Sequence, residues 1–510
     1  MGSLLDLLRR GCVAVSLFGG VGVAQPALAA KDPFVEALSK RLNFVFKNDK
    51  QGRQNLGVSV YSLSRQETLF DLNAESPLMP ASTIKMLTAT VALKKLGPDY
   101  TYKTEVLYDK PPKNGVLEGN LYLRGGGDPS LVTERLFLLA ADVLRADIRE
   151  IRGNIVVDDW VFDQILRDPR RIPTDTDRPY NAPVGGLSFN YNSTTVYFRP
   201  GEKLGDPARV FVEPDTGYVT IKNQATTSKA GSSYKIDATR AENSGDGDTI
   251  LVRGSIPLGM TEQRRYFNIV SPSLYSGYGF RMMLEMRGIK FSNSAKIVHE
   301  QVPASARKIA EMTSLPLSEI VKLMNKYSNN FIADAITKTI GKELKGSPGT
   351  MDKGLEVLNE EALRMGLGSK GLNVVSGSGL TRENRMSPTQ FIQLMNAAYL
   401  DFEVLPELLS SLPIAGRDGT LRSRMHGTQA FGRLRGKTGS IDGVAAITGV
   451  VQSRGGELLA FSVMMNDDAK SNATIRNWQD PFGQALAEFN RRSPMSEKPR
   501  DTGATIGGQR

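Results

Sequence analysis

Ser82 and Lys85 stand three residues apart in the stretch Pro80-Ala81-Ser82-Thr83-Ile84-Lys85. Spacing i, i+3 on a helix puts two side chains on one face, about 5–6 Å apart at Cβ. There the amine of Lys85 comes within reach of the hydroxyl of Ser82. A serine hydroxyl is a poor nucleophile until a base takes its proton. A lysine serves as that base only when burial or nearby positive charge lowers its pKa from about 10.4. The pair alone is weak evidence, because Ser-x-x-Lys also arises by chance. The apolar run Ile84, Met86, Leu87, Val91, Ala92, Leu93 predicts a buried helix with the serine in its first turn, ending before Gly97-Pro98.

Two later stretches add to the pair: Ser328-Asn329-Asn330 and Lys437-Thr438-Gly439-Ser440. Taken singly, Ser328 reads equally well as a cap of a helix at 328–341, and Lys437 as a surface lysine on an edge strand. Lys437 and Thr438 together suit a carboxylate, offering a point charge and a hydroxyl donor. Gly439, without a side chain, lets another chain lie against the strand edge. Ser-x-x-Lys, Ser-x-Asn and Lys-Thr-Gly in this order resemble the motif triplet of the penicillin-recognising serine acyl transferases. Further words make the chain most similar to low-molecular-mass class C penicillin-binding proteins, the D-alanyl-D-alanine carboxypeptidase/endopeptidase type. They are Gly125-Gly126-Gly127-Asp128-Pro129-Ser130-Leu131, Gly377-Ser378-Gly379-Leu380-Thr381-Arg382, Leu412-Pro413-Ile414-Ala415-Gly416 and Asp418-Gly419-Thr420-Leu421. The resemblance covers roughly residues 31–490. Two positions depart from the usual pattern: Ser376 stands where an aspartate commonly precedes Gly-Ser-Gly-Leu, and Asp334 where glutamate is usual.

The resemblance implies the roles. Ser82 is the nucleophile and Lys85 its base, while Ser328 relays a proton to the leaving amine. Asn330 holds the substrate carbonyl and Lys85, and Lys437 and Thr438 take the substrate carboxylate beside Gly439. The backbone N–H groups of Ser82 and Ser440 receive the oxyanion. Lys437 is expected to lower the pKa of Lys85 by like charge. No cofactor is implied. The implied activity is that of a serine-type D-alanyl-D-alanine carboxypeptidase, with D,D-endopeptidase action at the same site. Its substrates are peptidoglycan stem peptides, it works through an acyl-enzyme, and penicillins acylate it. A β-lactamase, which needs a second base for deacylation, and a wall-binding scaffold with secondary catalysis are the alternatives.

These groups need a scaffold. Residues 32–48 carry a period-four apolar stripe (Phe34, Leu38, Leu42, Phe46), and a hairpin of strands at 56–63 and 68–72 follows. From 99 to 289 strand-like segments recur around one helix, Leu131 to Arg145, predicting a β-rich insertion of one or two subdomains. Helices are expected at 273–287, 316–325, 328–341, 352–365 and 388–399. Strands at 435–440, 444–452 and 458–465 and a closing helix at 473–490, part of which Pro481 must break or start, complete the chain. The fold the resemblance implies is α/β (α+β): a serine β-lactamase/D,D-peptidase-like domain at 30–98 and 290–492. Its five-stranded antiparallel sheet is flanked by helices and split by the insertion.

The 510 residues suffice for two or three domains, and 40% apolar with 23% charged composition is ordinary for a globular protein. Residues 1–29 read as a secretory signal: Arg9 and Arg10, then apolar Cys12 to Ala24, then Ala27-Leu28-Ala29. Periplasmic localisation is expected, with residues 493–510 a polar tail. Cys12 lies inside the signal, so the mature chain forms no disulfide. Net charge of +10 suits contact with an anionic wall or membrane surface, or serves solubility alone. No nucleic-acid motif accompanies it. The two histidines, His299 and His426, lie in no metal-ligand spacing and in no pattern that supports a Ser-His-Asp triad. Oligomeric state is not encoded in any motif.

Overall fold

The computed structural model describes residues 32–47, 55–172, 177–241, 246–469 and 471–491; the expected signal and tail lie outside them. The chain opens with helix α1 (Pro33–Val45), strands β1 (Leu56–Ser62) and β2 (Glu67–Leu72), and helix α2 (Lys85–Leu96). Next come β3 (Lys103–Tyr108), β4 (Leu121–Gly125), α3 (Thr133–Arg145) and β5 (Ile155–Asp158), then a run of short strands. Helix α4 (Pro272–Met286), β6 (Ile297–His299) and β7 (Arg307–Thr313) close that region. Five helices follow: α5 (Leu317–Tyr327), α6 (Asn330–Lys345), α7 (Met351–Arg364), α8 (Pro388–Tyr399) and α9 (Leu405–Ser411). The chain ends in β8 (Leu434–Ile441), β9 (Val444–Gln452), β10 (Leu458–Asn466), α10 (Asn472–Arg476) and α11 (Gln479–Glu488).

The first hairpin joins the last three strands in a five-stranded antiparallel sheet of order β8-β9-β10-β1-β2. One face packs on α2 and α5 to α9, and the other on α1 and α11. Every residue of α2 from Lys85 to Leu93 is buried. A helix apolar on all sides belongs inside a domain, and α2 lies among its neighbours as the central element of this half. Because β8 is an edge strand, its free backbone groups face outward beside the turn that precedes α2.

The return from the insertion comes later than the expected position 290. Strand β6 pairs in parallel with β5, and β7 pairs antiparallel with β3, giving a second five-stranded sheet of order β6-β5-β4-β3-β7. Helix α4 belongs here too: Tyr275, Phe280, Met283 and Leu284 are buried with the insertion's apolar residues. The smaller sheets, including Ser193–Arg199 with Arg209–Glu213 and Gln263–Asn268, share that one buried cluster. A second, smaller cluster of Leu107, Tyr122 and Val156 lies apart from it. The closing helix is two helices, with Pro481 in the first turn of α11, where a missing N–H costs nothing.

Candidate active site

Ser82 does not lie in the α-helix itself. Residues Ala81–Ile84 form a 3-10 turn that runs into α2 at Lys85. In a 3-10 turn, side chains at i and i+3 eclipse one another, which serves the pair better than α-helical spacing. Lys85 Nζ lies 2.9 Å from Ser82 Oγ. The same amine lies 2.7 Å from Asn330 Oδ1 and also donates to the Ser378 carbonyl. Lys85 is 0% exposed, and burial, the largest influence, brings its pKa down to about 7. The carboxylate of Asp334 works against that shift and the guanidinium of Arg171 works with it. Burial, more than the expected repulsion from Lys437, sets this value. The repulsion between the two lysines shows on Lys437, which burial and then the charge of Lys85 push well below the ordinary lysine value.

Ser328 is not the start of a helix either. It ends α5 in the left-handed conformation (φ 56°, ψ 37°), and Asn329 caps α6 by accepting from Ile332 N. This two-residue break between helices aims Ser328 into the cleft. Lys437, on β8 and 0% exposed, donates to Ser328 Oγ at 2.8 Å and to its neighbour's carbonyl, Thr438 O, at 2.7 Å. Thr438 Oγ1 lies 2.7 Å from Thr420 Oγ1. Gly439 faces the nucleophile turn closely: a Cβ there would lie 2.5 Å from Pro80 O and 3.2 Å from Ser82 N. Ser440 is exposed at the cleft mouth, where Asn472 Nδ2 donates to its Oγ at 2.9 Å and to Ile441 O at 3.0 Å.

All eight candidate residues thus converge. Ser82, Ser328, Asn330 and Ser440 line a cleft of about 410 Å³, together with Ile172, Tyr180, Leu380 and Arg382. Lys85 and Lys437 lie just beneath its floor, bonded to Ser82 and Ser328. Neither departure from the usual pattern is idle. Ser376 Oγ accepts from Gly379 N and contacts Ser378 Oγ, holding the turn that offers Ser378 O to Lys85. Asp334 pairs with Arg171 at 2.7 Å. Sequence reasoning missed Arg171, Tyr180, Ser378, Thr420 and Asn472. Only the quoted Gly377-Ser378-Gly379 word and Thr420 lay in stretches it had singled out.

The histidines serve elsewhere. His299 Nε2 is 2.6 Å from Asp159 Oδ1 in the inserted sheet, with its ring against Trp160, and its pKa is raised by that hydrogen bond. His426 Nε2 contacts Arg422 O. The glycine word ends β4 at Gly125 and leads into a turn in which Asp128 accepts from Ser130 N and Oγ.

The D-Ala-D-Ala carboxypeptidase 3 (S13) family matches residues 38–489. The chain is 32% identical to a D-alanyl-D-alanine carboxypeptidase of Actinomadura sp. over 481 residues, 91% of this chain and 87% of that one. It is 26% identical to the D-alanyl-D-alanine carboxypeptidase DacB of Haemophilus influenzae, over 84% of this chain and 89% of that one. In fold it is similar to the crystal structure of penicillin binding protein 4 from Haemophilus influenzae, with a TM-score of 0.73 and 23% identity over 89% of this chain and 98% of that one. With a match that spans nearly the whole described chain, the protein belongs to the D-Ala-D-Ala carboxypeptidase 3 (S13) family and is a serine-type D-Ala-D-Ala carboxypeptidase.

Proposed function

We propose that Ser82 is the residue acylated and that the surrounding groups divide the work as follows. Ser82 Oγ attacks the carbonyl between the two terminal D-alanines of a stem peptide while neutral Lys85 takes its proton. The backbone N–H groups of Ser82 and Ser440 receive the developing oxyanion. The proton then passes through Ser328 to the amine of the departing D-alanine as the C–N bond breaks, leaving an ester on Ser82. Lys437, with Thr438, holds the terminal carboxylate, and the peptide lies along the free edge of β8 beside Gly439. Water hydrolyses the ester and restores the hydroxyl.

The contact of Lys85 Nζ with both Ser82 Oγ and Asn330 Oδ1 carries this reading. A base must be within hydrogen-bond reach of the proton it takes, and its pKa must lie near working pH; Lys85 meets both conditions. β-Lactams acylate the same serine. Crosslinked peptides with a D,D bond fit the same chemistry, so endopeptidase action accompanies carboxypeptidase action. Residues 1–29 export the chain to the periplasm, as their charged start, apolar middle and small-residue end suggest.

Labelling by fluorescent penicillin, read beside D-alanine release from a pentapeptide, tests the assignment. Wild type should label one-to-one, and Ser82→Ala should remain folded by circular dichroism yet show neither activity. Covalent labelling of Ser82→Ala at wild-type stoichiometry would move the nucleophile elsewhere.

A further inference from the structure

Helix α6 presents three polar side chains at successive i, i+4 positions, Asn330, Asp334 and Lys338, and the inserted region meets all three. Asn330 Nδ2 donates to Tyr180 O at 3.0 Å. Asp334 Oδ2 accepts from Arg171 at 2.7 Å. Lys338 Nζ donates to Asp163 Oδ1 at 2.6 Å and to Ile165 O at 2.9 Å. Positions spaced by four lie on one helical face, so the contacts form a line that ends at the catalytic amine, because Asn330 Oδ1 bonds Lys85 Nζ. The middle contact is an ion pair buried on both sides, whereas the carboxylate of Asp163 in the last one is partly exposed. Arg171 is 8% exposed and Asp334 2%, and Arg171 donates further to Asn181 Oδ1 and Ala182 O.

We propose that Arg171, supplied by the inserted region, is a positioning residue of the reaction: its ion pair with Asp334 cancels the carboxylate one turn beyond Asn330 and keeps the amine of Lys85 free to act as base. An unpaired carboxylate beside a buried amine favours the ammonium, which cannot accept the Ser82 proton. The insertion therefore does more than wall the cleft. It delivers the guanidinium that pairs with Asp334, and in this way ties the reactivity of the nucleophile's partner to the correct seating of the inserted segment.

The groups facing Lys85 are few. Ser82 comes from the preceding turn, Asn330 and Asp334 from α6, the Ser378 carbonyl from the turn at 376–379, Lys437 from β8 and Arg171 from the insertion. Among these described groups Asp334 is the one carboxylate. The opposed influences of Asp334 and Arg171 on Lys85 follow from that arrangement.

This inference rests on Lys85 being the base for Ser82. The test is the second-order rate of acylation by fluorescent penicillin from pH 5 to 10, for wild type, Arg171→Gln, Asp334→Asn, the double variant and Ser82→Ala. Arg171→Gln should move the rising limb up by about one pH unit, so that acylation at pH 6 falls about tenfold while the high-pH plateau survives. Asp334→Asn leaves the guanidinium unopposed and should move the limb down. The double variant, with a neutral amide pair, should return it close to wild type. If Arg171→Gln does not fold, the direction of the Asp334→Asn shift decides alone. Limbs that coincide with wild type, with only plateau heights altered, would show a purely structural pair and overturn the inference. Labelling of Ser82→Ala would instead remove the site assignment beneath it, a result distinguishable because it does not depend on either pair residue.

Discussion

Lys437 and Ser328 are joined by a 2.8 Å hydrogen bond that spans the cleft, with the lysine on the sheet and the serine between two helices. The bond adds a polar tie, inside the cleft, between the sheet and the helices that pack on its face. It also fixes a serine whose backbone is unusual. Ser328 has φ of 56°, a left-handed conformation that costs a residue with a Cβ about 1–2 kcal/mol.

That strain separates two substitutions at one position. Ser328→Ala removes the hydroxyl and keeps the strain, whereas Ser328→Gly removes both. Both variants should lose D-alanine release, since neither can relay a proton. Ser328→Gly should nevertheless melt higher than Ser328→Ala, by an amount corresponding to about 1 kcal/mol in chemical denaturation. Equal stabilities would mean that the surrounding structure absorbs the strain.

The depressed pKa of Lys85 fixes the sign of the pH dependence. Its amine is neutral above about 7 and charged below it, and only the neutral form accepts a proton. The acylation rate should therefore rise through pH 7 and level off. Lys85→Arg places a guanidinium there, which keeps its proton at every working pH, so the variant should be nearly inactive across the range. Stopped-flow acylation from pH 5 to 10 checks both statements. An active arginine variant with an unchanged profile would assign the base to another group.

Gly439 is required by space, not by its own backbone angles. A methyl group there would press on Pro80 O and on the N–H groups of Ser82 and Thr83. Gly439→Ala sets a methyl group against the backbone of the nucleophile turn, which must move away from β8, so the melting temperature should fall. Displacing one oxyanion donor costs about 10²–10³ in rate, so acylation should slow about 100-fold. Wild-type acylation by this variant would show that the turn gives way freely.

Some of these features were readable in the chain and some were not, for physical reasons. Ser82, Lys85, Ser328, Asn330 and Lys437 stand in short words whose residue types already imply proton transfer and carboxylate recognition. Apart from β8, which its Lys-Thr-Gly word places, the strands of the main sheet alternate or run apolar, and their extents are legible within a residue or two. Strand β7, Arg307–Thr313, is half charged and exposed at a sheet edge, so it carries no such pattern. Strand β6 has three residues and takes its identity from β5 alone. Arg171 and Asp334 are 163 residues apart in the chain, and no local period links them. Buried ion pairs between distant segments are set by tertiary packing, and only the fold reveals them.

The carboxylate role of Lys437 makes the last prediction. Its amine is buried and its pKa is well below the ordinary value, so in the empty site the charge is costly. A bound carboxylate offsets that cost by favouring the ammonium. Hydrogen bonds to charged groups contribute about 1.5–3 kcal/mol, or about 10- to 100-fold. Amidating the C-terminus of a D-Ala-D-Ala substrate should thus lower kcat/KM by about that factor in wild type. Lys437→Met should lose as much on the acid substrate yet lose little more when the substrate is amidated. The two changes would then be strongly non-additive, as expected when they remove the two ends of one interaction. Steady-state D-alanine release, with D-alaninamide release for the amidated peptide, supplies the four rates. Additive losses would place the substrate carboxylate on some other group, with Thr438 and Arg382 at the cleft the first to be examined.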